Sequence, residues 1–279
     1  MLKKEGANGM KIWVADGEAG LMQGNGQGFC WAGESCCALC AGLGHIYCAG
    51  QKRGVCLDGG SGDVLFDFPV PGGICAMGML GERVCALSSD ADCLSAFCAH
   101  TGALLFSAPA GDYPRDLSIS PCGKYLAVAG GAAGEVLLFD DNLSCIQKRR
   151  VPGAACAVCF LPRHMAALCA VGDQELSTRV MRISPRGVAE EMYVSPQVPC
   201  SMCALEGNRF LVGCHGEIAL LRGDGRVLRR FSSVYPNRLR PFREGALICD
   251  GYQGTVRCLG GPILYQGKEP WDAIGIKSE

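Results

Sequence analysis

The sequence predicts an all-β protein in which short strands form a closed ring. Its 40 glycines and 14 prolines recur at intervals, not in tracts, as is typical of many strands separated by turns. Two strand patterns alternate along the chain with a repeat of about 40 residues. At the end of the chain a first-type strand has no second-type strand after it, and at the beginning a second-type strand has no first-type strand before it. The strands at the two chain ends can therefore pair. We predict a seven-bladed β-propeller with four-stranded antiparallel blades, closed by pairing of the C-terminal strand with the N-terminal blade.

The clearest copy of the repeat begins at Arg115. It reads as a strand, a tight turn at Pro121-Cys122-Gly123, a second strand to Ala129 and, after a glycine-containing break, a third strand from Glu135. The second strands recur most regularly, and each runs from a polar turn residue into apolar and small residues. They cover residues 11–16, 45–50, 83–88, 124–129, 165–170, 209–214 and 246–251.

The strands that precede them also align. One column of equivalent positions recurs at intervals of 34 to 44 residues and comprises Cys37, Cys75, Asp116, Cys156, Cys200, Arg238 and Asp272. Residues 271–276 form a first strand without a second, and residues 11–16 form a second strand without a first. Pairing them closes the ring and removes the exposed edges of an open array. Six blades are expected only if the weakly patterned segment 17–33 forms no strands.

Bulk composition excludes several classes of function. With 26 basic and 27 acidic residues the net charge is −1, so neither nucleic acid nor an acidic membrane surface is expected as a partner. No stretch approaches the roughly 18 apolar residues of a membrane span. No apolar run follows Lys3 and Lys4, and most of the 20 cysteines lie in apolar strand patterns. We therefore expect the reducing cytoplasm and mostly free thiols. We also expect a monomer with a disordered tail at 1–9 and one domain over 10–279.

Residues 118–130 read Ser-Ile-Ser-Pro-Cys-Gly-Lys-Tyr-Leu-Ala-Val-Ala-Gly. This segment resembles the repeat of the YVTN/lactonase-like seven-bladed propellers, in which Ser-Pro-Asp-Gly is followed by a basic residue, an aromatic and a short apolar strand. Cys122 stands where aspartate is usual, and the other repeats share the spacing without the turn. The resemblance implies the fold over most of the chain. That superfamily includes lactone hydrolases, surface proteins and binding modules, and no catalytic residue carries over.

Three Cys-x-x-Cys pairs raise the possibility of a metal or redox site, at Cys37–Cys40, Cys156–Cys159 and Cys200–Cys203. Residues three apart on a regular strand face opposite sides, so the two thiols of a pair cannot reach one metal unless the strand is bent or bulged. Small apolar contacts between blades explain them without a ligand, and no cofactor is expected. The alternative is a ring-shaped metal site made by Cys37, Cys75, Cys156 and Cys200.

A polar group of residues is the second candidate. Tyr113-Pro114-Arg115-Asp116, Tyr235-Pro236-Asn237-Arg238 and Glu269-Pro270-Trp271-Asp272 lead in parallel into three first strands, at one mouth of the central channel. Arginine there can grip a carboxylate or phosphate. The predicted ligand-binding residues are Arg115, Asp116, Arg238, Arg240, Trp271 and Asp272. The competing interpretation is a salt bridge between neighbouring blades, Arg238 with Asp272 in particular.

Three functions remain open at this stage. The preferred one is a non-catalytic module that binds a protein or small molecule through its faces and channel mouth. The second is a hydrolase of a small sugar lactone or related metabolite, with Asp116 or Asp272 as general base. The third is a thiol-based metal or redox protein. Gly-x-Ser-x-Gly and phosphate-binding glycine motifs are absent from the sequence in the required context.

Overall fold

The structure is a computed structural model that describes residues 10–17, 20–24, 29–30, 36–161, 167–172, 177–184 and 189–277. All the regular secondary structure in these residues is β-strand, so they contain no helix that could cross a membrane. The tail predicted at 1–9 lies outside the described residues.

The strands of the described chain are short and follow one another through tight turns. In chain order they are β1 Met10–Asp16, β2 Gly20–Gly24, β3 Phe29–Cys30, β4 Ala38–Gly42, β5 His45–Ala49, β6 Arg53–Asp58, β7 Val64–Pro69, β8 Ile74–Leu80, β9 Arg83–Ser88, β10 Cys93–Cys98, β11 Leu104–Pro109, β12 Asp116–Ile119, β13 Tyr125–Ala129, β14 Glu135–Asp140, β15 Cys145–Arg150, β16 Ala154–Phe160, β17 Ala167–Gly172, β18 Thr178–Ile183, β19 Ala189–Ser195, β20 Pro199–Leu205, β21 Arg209–Cys214, β22 Glu217–Arg222, β23 Val227–Ser232, β24 Pro236–Phe242, β25 Gly245–Asp250, β26 Thr255–Cys258, β27 Ile263–Gln266 and β28 Pro270–Lys277.

These strands form seven four-stranded antiparallel sheets, the blades. Blade I has the order β28-β1-β2-β3, and blades II to VII take β4–β7, β8–β11, β12–β15, β16–β19, β20–β23 and β24–β27. Each innermost strand contacts the innermost strand of the next blade, and β28 contacts both β24 and β4. The predicted seven-bladed propeller is confirmed.

Apolar side chains between neighbouring blades hold the ring together. Leu87 and Leu94 of blade III pack in one buried cluster with Leu126 and Val128 of blade IV, and all four are fully buried. Burying an aliphatic side chain of this size stabilises the fold by about 1.5–3 kcal/mol. The outermost strands are solvated, as in β15, where most residues are exposed. This decrease in burial towards the outermost strand explains why the second strands gave the most regular sequence pattern.

The chain ends close the ring as predicted. β28 pairs antiparallel with β1 from Met10↔Lys277 to Asp16↔Pro270, so the last strand is the innermost strand of the first blade. β2 pairs with both β1 and β3. The weakly patterned segment therefore supplies the outer strands of blade I, which is why the ring has seven blades and not six.

Candidate functional site

All innermost strands run in the same direction along the central channel. We call the face where they begin the top face and the face where they end the bottom face. In five blades one extra residue at the top of the innermost strand interrupts the pairing with the second strand. In the other two, Cys37 and Arg115 donate their N–H groups to the carbonyls of Ala49 and Ala129. The equivalent residues form the top ring: Cys37, Cys75, Arg115, Cys156, Cys200, Asn237 and Trp271.

The top ring corrects the column aligned from sequence. Four cysteines were placed correctly, but in three blades the equivalent residue is one position earlier. Arg115, Asn237 and Trp271, rather than Asp116, Arg238 and Asp272, occupy the extra position next to the four cysteines. All seven top-ring residues line a cavity of about 350 Å³, the top cavity.

Below the top ring, Arg238 bars the channel. It starts from blade VII, and its Nη1 donates to Asp116 Oδ1 in blade IV at 2.6 Å. Its Nη2 donates to the carbonyl of Cys75 in blade III, also at 2.6 Å. Blades III and IV lie across the ring from blade VII, so this side chain spans the channel. Its pKa is raised because the carboxylates of Asp116 and Asp272 outweigh the effect of burial.

Arg240 makes a second buried ion pair one layer further down. Its Nε and Nη2 donate to Asp272 Oδ1 and Oδ2 at 2.9 and 2.6 Å, and Nη2 also reaches the carbonyl of Leu39. Asp272 is fully buried and accepts the N–H of Leu39 in blade II. Burial opposes ionisation of Asp272, but the guanidinium of Arg240, their hydrogen bonds, Arg238 and the Leu39 N–H hold its pKa below the usual value.

These contacts divide the six predicted ligand-binding residues. Arg115 and Trp271 line the top cavity, Arg238 lines both the top cavity and a cavity on the bottom face, Asp116 and Arg240 line only the bottom one, and Asp272 is fully buried. The predicted salt bridge of Arg238 with Asp272 is wrong: Arg238 pairs with Asp116, and Arg240 pairs with Asp272. Sequence spacing could not show this, because Arg238 reaches three blades around the ring.

Three exposed aromatic side chains line the top cavity together with Arg115. Tyr113, Tyr235 and Trp271 are 48%, 37% and 45% exposed, which is unusual for such large rings. The Arg115 guanidinium lies 4.8 Å from the centre of the Tyr113 ring. In the described chain Arg115 has no carboxylate partner, and it carries the one charge in the top ring. Sequence reasoning missed the two tyrosines as site residues, although it singled out the segments that contain them.

Two of these aromatics are held in place by the backbone. Tyr113 has a φ of +55°, a left-handed conformation that is uncommon for a bulky residue, and its N–H donates to Asp92 Oδ1 at 2.7 Å. The indole of Trp271 lies against Gly17, where an added Cβ would approach Nε1 to 2.6 Å. Residues in strained backbone conformations cluster at functional sites. The rim of the top cavity is therefore built in one defined arrangement.

The top-ring thiols are turned towards backbone carbonyls. Cys75 Sγ donates to the carbonyls of Leu87 and Pro114, and Cys200 Sγ donates to that of Val198. Burial raises the pKa of Cys75 to about 12 despite the lowering effect of Arg238, and burial also raises that of Cys200. Both thiols are therefore neutral at pH 7 and are poor metal ligands or nucleophiles.

The members of two Cys-x-x-Cys pairs line different cavities, although the innermost strands that carry them are bulged. Cys156 and Cys200 line the top cavity, whereas Cys159 and Cys203 line a second cavity on the bottom face. Within the residues that the structure describes, no three His, Cys, Asp or Glu side chains are grouped closely enough to hold a metal ion. Every cysteine with a described side chain is a free thiol. Cys159 and Cys203 pack in the buried clusters between neighbouring blades.

We expect thiol reactivity to divide the cysteines in the folded protein. Cys122 is exposed, and its hydrogen bond with Ser120 Oγ, its backbone surroundings and Lys124 lower its pKa. Brief treatment with iodoacetamide at pH 7, followed by peptide mass spectrometry, should modify Cys122 at least about tenfold faster than Cys75 or Cys200. Rapid labelling of Cys75 and Cys200 in the folded protein would contradict their burial and revive the thiol-based alternative.

No family model matches the sequence, and no curated protein matches it either. Solved structures are similar in fold. A putative 6-phosphogluconolactonase from Bacteroides fragilis superposes with a TM-score of 0.76 at 11% identity, over 98% of this chain and 99% of that one. A second, from Bacteroides uniformis, gives 0.75 at 13% identity, over 96% and 100%. The fold-level resemblance to lactonase-like propellers is confirmed.

The same fold is shared by propellers of other kinds. The WD40 repeats of RRP9 give a TM-score of 0.70 at 12% identity, over 85% of this chain and 83% of that one. A streptogramin B lyase gives 0.70 at 13% identity, over 85% and 86%. Identities this low show the fold alone. The propeller is compatible with a binding module and with a lactonase-like enzyme, so function has to be argued from the site.

Proposed function

We propose that the protein is a non-catalytic binding module whose top cavity binds a partner through Arg115. One observation carries this proposal. Arg115 bears the one charge of the top ring and, in the described chain, has no carboxylate partner, and the cavity that it lines also has three exposed aromatic rings, of which that of Tyr113 contacts the guanidinium. Arginine, tyrosine and tryptophan are the residues that dominate binding energy at protein interfaces.

The chemistry of the rim defines the partner. The planar guanidinium of Arg115 offers paired N–H donors that match a carboxylate, and the rings of Tyr235 and Trp271 offer apolar area in the same cavity. Asp90, also on the cavity wall, offers an acceptor to a partner amide or ammonium group. A peptide segment that carries a carboxylate next to an apolar side chain suits this combination.

Substitution of Arg115 tests the proposal. We expect Arg115→Ala and Trp271→Ala each to lose the proteins that the wild type captures from its native cytoplasm, with affinity reduced by about 30-fold or more. Quantitative mass spectrometry of the captured proteins, followed by titration of the purified partner, provides the measurement. Arg149→Ala, on the solvated outer strand β15, is the matched control and should bind as the wild type does. Retention of every partner by both top-cavity variants would remove the proposal.

A lactone hydrolase is the second candidate, favoured by the similar lactonase-like structures that cover nearly the whole chain. Asp116 would serve as its general base. However, Asp116 already accepts hydrogen bonds from Arg238 Nη1 and from the N–H of Val158, and it is buried. Such a carboxylate is a poor general base unless the pair opens. Hydrolysis of gluconolactone by the wild type, abolished in Asp116→Asn, would replace the binding module with this function.

A further inference from the structure

The bottom face contains a second cavity, of about 470 Å³, that the top-cavity proposal does not use. Its walls are apolar side chains of successive innermost strands and of the turns that follow them. They include Met77, Leu117, Phe160, Met202, Leu205 and Phe242, each at most 7% exposed. Because these side chains are packed into the blade cores, the walls are preformed. A preformed cavity of this size, with both apolar and polar side chains in its lining, is typical of small-molecule sites.

The floor of this bottom cavity is polar and presents donors. Arg238, Arg240 and Asp116 line it, while Asp272 does not. The side chains of Arg238 and Arg240 are 12% and 22% exposed, against 8% for Asp116 and 0% for Asp272. The carboxylate of Asp272 therefore lies behind the guanidinium of Arg240 as seen from the cavity.

One donor group at the floor is free to meet a ligand. The hydrogen bonds of Arg240 use Nε and Nη2, so Nη1 has no partner in the described chain. Arg240 lines the bottom cavity and not the top one, so its exposed part faces downwards. On the rim stand one exposed guanidinium, that of Arg243, and one exposed carboxylate, that of Glu206. An acceptor-bearing ligand fits this floor better than a donor-bearing one.

We propose that the bottom cavity is a separate site for a small organic acid that has an apolar body and a terminal carboxylate. The apolar body occupies the walls formed by residues such as Phe160 and Met202. The carboxylate accepts hydrogen bonds from Arg240 at the floor. Because Arg238 bars the channel between the two cavities, this site is independent of Arg115.

The probe is 4-phenylbutyrate, titrated calorimetrically into the full-length protein. We expect binding with a Kd on the order of 1 mM or tighter, as ligands of this size give. The uncharged analogue 4-phenylbutan-1-ol should bind about tenfold more weakly, because it loses the charge-assisted hydrogen bond. Ala204→Phe adds a ring to the cavity lining at β20, at a residue that belongs to neither ion pair, and should abolish binding. Ser118→Leu adds bulk to the lining at β12 and serves if Ala204→Phe does not fold.

The outcome distinguishes this site from the top cavity. Binding that persists in Arg115→Ala and disappears in Ala204→Phe or Ser118→Leu supports the proposal. Binding lost in Arg115→Ala but kept in a folded, cavity-filled variant places the acid in the top cavity and overturns it. Equal affinity for the acid and the alcohol overturns the role of the arginine floor. No heat of binding for the wild-type protein at millimolar probe overturns the site altogether.

Discussion

Replacing Arg240 with methionine is expected to lower the free energy of unfolding by about 3–5 kcal/mol, the usual loss when one partner of a buried ion pair is removed. Methionine keeps much of the apolar stem but leaves the carboxylate of Asp272 fully buried without its bidentate partner. Arg238 is already committed to Asp116 and cannot take over this role. Urea denaturation followed by circular dichroism measures the loss.

The matched control is Arg222→Met. Arg222 also pairs with a carboxylate, that of Asp224, but both side chains are about half exposed. Exposed ion pairs contribute little because water and salt screen them, so this variant should unfold at the wild-type urea concentration. A control variant as unstable as Arg240→Met would show that the loss of arginine, not the burial of Asp272, matters.

The loss of stability caused by Arg240→Met is expected to depend on pH. In the wild type the pKa of Asp272 is lowered on folding, so its contribution to stability is present above the unfolded value near 4 and disappears as pH falls through the folded pKa. In Arg240→Met, burial without the guanidinium should raise that pKa above the unfolded value. The destabilisation should then be smaller at pH 5 than at pH 7. A loss that is equal at both pH values would contradict an ionised, buried Asp272.

The sequence predicted the architecture because one short phrase repeats around the ring. The second strands lie between neighbours on both sides, so they must be apolar along their length, as Val128 and Leu126 are. That requirement produces a pattern readable in all seven repeats. Outer strands are solvated and vary freely, so β2 and β3 could not be located from sequence.

The site was predicted less well because the top ring depends on a bulge of one residue. The sequence alignment matched Asp116, Arg238 and Asp272 with the top-ring cysteines. In the structure the equivalents of those cysteines are the residues directly before these three. A better signal was present: Pro114, Pro199, Pro236 and Pro270 each directly precede a top-ring residue. Aligning these prolines places Arg115, Cys200, Asn237 and Trp271 together. Ion pairs across the channel, such as that of Arg238 with Asp116, have no comparable signal in sequence.

Deleting residues 270–279 is expected to abolish cooperative folding. The deletion removes β28, which pairs with β1 along its length and carries Asp272 into contact with Arg240 and Leu39. It leaves the edge of β1 unpaired, exposes Val14, which is otherwise fully buried, and leaves the Arg240 guanidinium without a carboxylate. Size-exclusion chromatography and thermal circular dichroism should show aggregation and no sharp transition. Sharp melting of a monodisperse deletion variant would mean that the ring closes without β28.

A variant with a rearranged chain order distinguishes the effect of losing β28 from the effect of changing its place in the sequence. Since Lys277 pairs with Met10, residues 270–279 can be fused through a short Gly/Ser linker in front of Met10, with the chain ending at Glu269. This variant makes β28 and β1 a local hairpin and restores every β28 contact. We expect it to recover cooperative unfolding at a temperature close to that of the wild type. Failure to recover would show that ring closure depends on where the strand lies in the chain, beyond the pairing and the ion pair that it supplies.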